Sequence, residues 1–408
     1  MKTIHISLSP NLESDDLKLS ISKLINPFIW KKTNYQNKLI QSLNQIFPTS
    51  QAFLFNSGRS GLQLALQSLN LPKKSEIITQ AFTCSAVINP ILANQLKPVY
   101  ADIKLNSFNL NHLQLNKLLT PKTKAIIIQH TFGTPANLRA IRSFVQKHNL
   151  LLIEDCAHSL GAHYQNKPLG SFGDITLLSF GRDKIISSVF GGAILINNPH
   201  LLPSFKKLYS KLKLPNHLWT TQQLLHPPLS YLAKKTYHLQ IGKLILLLSQ
   251  KLKLISRAIY PQEKIHQTPT VFPAKLPNPL AHLALNQLNK LSTFNLHRQK
   301  IALIYQKKII NPKLKKPQLS KNSIYLRYNI LLSNPQNLFT YLKKNQIIAG
   351  DWYSQPITPS NNLKLTLYTK GSCPNAEKAC QQNLNLPTHP TLSIKQVTKI
   401  IYLLNKFK

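Results

Sequence analysis

The feature that most constrains this chain is a rhythm across residues 51–200, where short β-rich runs alternate with amphipathic stretches. Strand-like runs fall at 76–79, 98–101, 125–129, 151–154, 175–180 and 193–197, and helical patterns at 61–69, 85–94, 137–148 and 201–212. Such alternation predicts an α/β protein with a mostly parallel sheet flanked by helices, because parallel neighbours need a crossover long enough to be a helix. Sheets of this class take ligands at the carboxyl ends of their strands. Asp155 and the loop Gly181-Arg182-Asp183-Lys184 both follow predicted strands directly.

From about residue 268 the character changes. Pro269, Pro273, Pro277 and Pro279 lead into a helical pattern at 280–310, a strand at 324–331 and a final helix at 393–407. The 408 residues divide on this reading into a large domain, 1–267, and a smaller C-terminal α/β domain, 268–408. No run approaches the roughly 18 apolar residues of a membrane span, and residues 1–20 lack a signal-peptide layout. The expected address is the cytoplasm. Cys84, Cys156, Cys373 and Cys380 form no C-x-x-C pair, so free thiols are expected, with no disulfide framework and no metal site.

The charge is extreme, with 51 basic residues against 12 acidic ones. Specific nucleic-acid binding is not the expected use of it. Only seven of the basic residues are arginines, the usual readers of base edges, and no nucleic-acid-binding motif is present. Between Asp183 and Glu263 there is no acidic residue. In that gap Tyr237, Ile241, Leu244, Leu248, Leu252, Ile255 and Ile259 recur at helical steps, with Lys243, Lys251 and Arg257 off the stripe. This predicts a basic amphipathic helix. It faces either the core or a dimer partner, or it lies on an anionic membrane surface through 229–260.

Scarce acids are informative ones. Four of the twelve (Glu154, Asp155, Asp174, Asp183) fall within 30 residues, where chance would place about one. Asp155 ends an apolar run, so it is a buried carboxylate that needs a positive partner, or else a helix cap or structural ion pair. The turn Ser57-Gly58-Arg59-Ser60-Gly61 precedes a helical pattern, and is either a plain helix cap or an anion cradle. Lys184 lies just beyond a strand, 29 residues after Asp155. A reactive lysine, an acid to hold a pyridine nitrogen protonated and a helix start for a phosphate are what pyridoxal 5'-phosphate (PLP) chemistry requires.

The order Ser-Gly-x-Ser (57–60), Glu-Asp-x-Ala-His (154–158), Gly-Ser-Phe-Gly-Asp (170–174) and Ser-Phe-x-x-x-Lys (179–184), followed by Gly191-Gly192, resembles the DegT/StrS sugar aminotransferases. Residues 120–126, 129–133, 287–288, 373–377 and 386–390 support the resemblance, which spans roughly 50–400. It implies a fold-type-I PLP-dependent transferase. Lys184 matches the lysine that carries the cofactor and shuttles a proton, and Asp155 the partner of the pyridine nitrogen. His158 matches the residue near the cofactor's 3-hydroxyl, and Ser179 a phosphate-binding serine alongside Gly58, Arg59 and Ser60. A homodimer is implied too.

The chain also departs from the family pattern. Arg59 replaces a small residue in the phosphate turn. Cys84 stands where an aromatic ring stacks on the cofactor, with Phe82 the candidate substitute. The partner-subunit motif Gly-x-Asn-x-Arg is missing, Asn278 being a loose counterpart. The basic insertion at about 205–262 is longer than in typical members. The resulting expectation is transfer of an amino group from glutamate to a keto-sugar, nucleotide-linked or lipid-linked, for polysaccharide or glycoconjugate biosynthesis. The alternative is a non-catalytic membrane-surface or polyanion-binding protein that keeps the fold.

Overall fold

A computed structural model describes residues 3–28, 30 and 34–408. Seven strands form the central sheet: β1 (Gln51–Phe55), β2 (Glu76–Gln80), β3 (Lys97–Ala101), β4 (Thr123–Gln129), β5 (Leu151–Asp155), β6 (Ile175–Ser179) and β7 (Gly192–Ile196). Their spatial order is β1-β7-β6-β5-β4-β2-β3. Every pair from β6 to β3 is parallel, and β7 runs antiparallel to both β6 and β1. Six of these strands match the predicted runs. β1 does not, because its four-residue apolar run, 52–55, has no periodicity to separate it from a helix turn.

Both faces of the sheet are covered, and successive residues serve opposite cores, as strand geometry requires. Ile126, Leu152, Leu178 and Leu195 face one core, while Ile127, Ile153, Leu177 and Ile194 face the other. The helices that matter for the site are α1 (Ser14–Ile25), α2 (Gly58–Ser68), α3 (Ser85–Ala93), α4 (His217–Thr236), α5 (Ile241–Lys251), α6 (Asn278–Leu288) and α7 (Leu291–Lys308). A third core gathers Ile301 and Tyr305 of α7 with Tyr328, Ile330, Leu384 and Leu386. Those last four lie on an antiparallel pair, β8 (Arg327–Leu331) and β9 (Asn383–Pro387).

Two predicted helices are each divided. The pattern at 280–310 breaks at Asn289 and Lys290, so that α6 joins the main core while α7 reaches the third. The basic stripe at 237–259 is not one helix. The chain turns at Gln240, in the left-handed region at φ 65°, and helix resumes only as far as Lys251. The physical reason is a close crossing: a Cβ on Gly242 would collide with the Ala233 carbonyl, so α4 and α5 pack as a hairpin. Ile255 is buried, but Leu244, Leu248 and Leu252 of the stripe are exposed to solvent. No helix among the described residues is long and apolar enough to cross a membrane.

Candidate active site

A cavity of about 340 Å³ opens at the carboxyl ends of the parallel strands, and Gly58, Arg59, Cys84, Asp155, His158, Ser179 and Lys184 all line it. Each position follows from the topology. Asp155 is the last residue of β5, Ser179 the last of β6, and Gly58 the first of α2. Ser60, the remaining expected residue, is turned inward. Its hydroxyl donates to Asn56 Oδ1 at 2.7 Å and lies 2.8 Å from Ser57 Oγ, which caps the helix. Asn278 is also taken up locally, its Oδ1 accepting the Tyr35 and Gln36 backbone N–H groups at 2.8 and 3.2 Å.

Lys184 lies in a loop fixed from two directions. Asn11 Nδ2 donates to the carbonyls of Lys184 and Ile185 at 2.8 and 3.0 Å. Arg298 of α7, fully buried, donates to Asn11 Oδ1 at 2.9 Å and to Ile185 O at 3.0 Å. The Lys184 amine sits 2.9 Å from His158 Nε2 and 5.0 Å from the centre of the Trp352 ring. Burial pushes its pKa below the ordinary lysine range, against the opposing pull of Asp183, Cys84 and Asp155. Burial likewise takes His158 well below its usual value, helped by the charges of Lys184 and Arg327.

Asp155 accepts the Ala157 backbone N–H at 2.9 Å and contacts no cationic side chain among the described residues. Burial raises its pKa, although the Ala157 hydrogen bond, Lys184 and His130 favour the ionised form. A buried carboxylate so placed is a receptor for a proton-bearing ring nitrogen. At the other end, the start of α2 presents its backbone N–H groups and positive dipole end beside Ser179. A Cβ on Gly192 would stand 2.5 Å from the Gly58 nitrogen, so only glycine lets the helix start approach β7 this closely. The lysine, the carboxylate and the helix start therefore fit PLP, which is of a size for such a cavity.

The other clustered acids hold the frame. Glu154 accepts backbone N–H groups from Gly170, Phe172 and Gly173 at 2.6–3.0 Å, and Asp174 accepts that of Leu152 at 2.8 Å. Asp183 pairs with Arg327 of β8 at 2.9 Å, and that guanidinium lies 3.5 Å above the Trp352 ring centre. Arg59 is paired with Glu263. Cys84 lines the cavity where a ring was expected, but Phe82 does not replace it. Phe82 is buried against Phe108 and Tyr353, and the aromatic wall comes instead from Trp352 and Tyr353. Sequence reasoning missed Trp352, Tyr353 and Arg327. The signal for them was rarity: Arg327 is one of seven arginines, inside a predicted strand, and Asp351 beside Trp352 is one of twelve acids.

The model of the DegT/DnrJ/EryC1/StrS aminotransferase family matches residues 13–218 and 249–405. An uncharacterized protein of Methanocaldococcus jannaschii is 29% identical over 365 residues, covering 87% of this chain and 85% of the relative. The dTDP-4-amino-4,6-dideoxy-D-glucose transaminase of Shigella dysenteriae is 25% identical over 394 residues, covering 93% and 94%. Among solved structures, Helicobacter pylori PseC, an aminotransferase involved in the biosynthesis of pseudoaminic acid, superposes with a TM-score of 0.75 at 24% identity. That match covers 100% of this chain and 99% of PseC.

Proposed function

This chain belongs to the DegT/DnrJ/EryC1/StrS aminotransferase family, and from that premise we propose that it moves an amino group from glutamate onto a nucleotide-linked keto-sugar, with PLP as cofactor. The observation that supports this most is one cavity lined by Lys184, Asp155, His158, Ser179 and the start of α2. The comparisons do not favour the non-catalytic alternative. PLP supplies an electron sink for the carbon that loses and gains the proton.

The roles of the chain's own residues follow from their places. Lys184 would carry the cofactor, and its buried amine, held below the ordinary lysine range, would move a proton at the substrate carbon. Asp155 keeps the pyridine nitrogen protonated, its own charge then balanced. His158 holds the Lys184 amine at 2.9 Å and would serve the cofactor's 3-hydroxyl. Ser179, Gly58 and the α2 N–H groups hold the phosphate, with Ser60 supporting that turn from within. Arg59 reinforces the cradle through its pair with Glu263. Cys84 lines the cavity together with Trp352 and Tyr353, which supply its aromatic wall.

The protein works as a homodimer on this reading. It is cytoplasmic and docks on the inner membrane face through 229–260, where exposed leucines of α5 stand among lysines. The test of the enzyme reading is the visible spectrum with PLP before and after borohydride, with Lys184→Ala alongside. The expected result is a yellow species that borohydride fixes on Lys184, lost in the variant and bleached by glutamate. A folded wild type that stays colourless would overturn it.

A further inference from the structure

We infer that Arg182 forms an anion subsite in this cavity that takes a phosphate-ester oxygen. The inference deepens the proposed function by naming what grips the charged part of a ligand. Among the cations around the cavity, Arg59 has Glu263 in contact and Arg327 has Asp183. Arg182 lines the cavity but contacts no carboxylate among the described residues.

Its aim is set by a relay of hydrogen bonds. Gln223 Nε2 donates to the Trp219 carbonyl at 2.8 Å, which turns Gln223 Oε1 toward Ser256. The Ser256 hydroxyl donates to that oxygen at 2.7 Å, so its own oxygen is free to accept from Arg182 Nη2 at 2.8 Å. Nη2 also donates to the Ser256 carbonyl at 2.7 Å. Phe190 lies under the guanidinium, 5.5 Å from ring centre to Cζ. The fork is thus locked at one nitrogen, while Nε is buried without a partner among the described residues.

A locked, partly desolvated guanidinium with an unmade donor and no counter-ion is complementary to an anion with several acceptor oxygens. Ser256 and Phe190 lie within the family match, whereas Gln223, which orients Ser256, lies in the segment 219–248 outside it, so one support of the clamp belongs to this chain's addition. The phosphate ester can come from the cofactor or from the diphosphate of a sugar nucleotide. Those two sources differ in what they compete with.

The test is calorimetric titration of the PLP-loaded and PLP-free protein with inorganic diphosphate, and of the PLP-free protein with PLP, for wild type, Arg182→Gln and Arg182→Lys. If the ester is the substrate's, diphosphate binds the PLP-loaded wild type. Arg182→Gln then weakens that binding about 10-fold or more, Arg182→Lys restores part of it, and PLP affinity changes less than threefold. If the ester is the cofactor's, Arg182→Gln weakens PLP instead, and diphosphate binds only the PLP-free protein. Both outcomes support the subsite. Wild-type and Gln affinities equal within twofold for both ligands would overturn it. Ser256→Ala, which frees the guanidinium but keeps its charge, should give a smaller loss, and thermal melting checks that each variant is folded. Binding of diphosphate does not depend on cofactor colour, so failure here and failure of the PLP assignment are told apart.

Discussion

The Lys184 amine lies 2.9 Å from His158 Nε2, while Nδ1 of the same ring accepts the Phe132 backbone N–H at 3.4 Å. A ring that accepts at Nδ1 carries its proton on Nε2 when neutral, and burial keeps His158 neutral. That proton points at the lysine, which can receive it only as an unprotonated amine. The two residues thus hold each other in the states that amine chemistry needs.

Replacing His158 by Leu should remove the donor and let the Lys184 pKa rise. Turnover is expected to fall about 10- to 100-fold. The acid limb of cofactor uptake, set by deprotonation of the amine, should move to higher pH. His158→Gln, which keeps a donor, should move it less. Stopped-flow absorbance across pH reads both, and an unmoved acid limb in the Leu variant would refute the pairing.

Asp155 works against the stability of the empty protein. Its folded pKa is raised by burial, so between the unfolded value near 3.8 and that raised value the folded state binds more protons. Stability therefore falls as pH climbs through this window and stays lower above it. Asp155→Asn keeps the size and loses the charge. The cofactor-free variant should melt higher than wild type at pH 7 and equally below about pH 3.8, while its turnover drops at least about 100-fold. Calorimetric scans and rate assays check the opposed signs.

Gly192→Ala should weaken PLP binding more than Gly58→Ala does. The added methyl at 192 meets the Gly58 nitrogen and Cα at 2.5 and 2.7 Å, whereas one at 58 meets its neighbours at 3.3 Å. Displacing the start of α2 costs affinity about 10-fold or more. Fluorescence titration with PLP gives the comparison.

Lys234 of α4 is pushed down to about 8 by burial, with its amine donating to the Ser9 carbonyl at 3.3 Å. Below pH 8 both states hold the proton, and the folded one carries the full cost of a confined ammonium. Between pH 8 and 10.5 the unfolded state binds more protons, so stability rises with pH. Lys234→Met should stabilise the protein at pH 7 by up to about 3 kcal/mol, with the gain gone by about pH 10.5. Denaturant melts at three pH values suffice.

The docking reading predicts that the protein pellets with anionic vesicles at low salt and is released by about 0.5 M salt. Leu244, Leu247 and Leu248 are all exposed on α5. Changing the three together to Glu should abolish pelleting and leave turnover on a soluble sugar nucleotide within twofold. Wild type that stays in the supernatant removes the membrane from the account.

The sheet was legible because six strands are bounded by turns and spaced by helices, and the site because Asp155, Ser179 and Lys184 each follow a strand. Phe82 was misjudged because sequence distance from Cys84 says nothing about which way a side chain turns; the residue has φ 62° and packs inward. Trp352 and Arg327 carried no signal beyond their rarity, because Trp352 reaches the cavity, and Arg327 reaches Trp352 and Asp183, by tertiary packing from elements far along the chain. The stripe at 237–259 showed apolar spacing truly but hid the turn at Gln240 and the helix end at Lys251, since apolar spacing does not register a single left-handed residue.

The clamp on the Lys184 loop joins Asn11, near the start of the chain, to Arg298 on α7. The far wall of the same cavity, with Leu246 and Gln250, belongs to the α4–α5 hairpin and the segment beyond it. The Lys184 loop is therefore fastened by elements outside the hairpin, whereas this wall rests on a hairpin of which residues 219–248 lie outside the family match. Changes within that hairpin would reshape the cavity while leaving the lysine where it is.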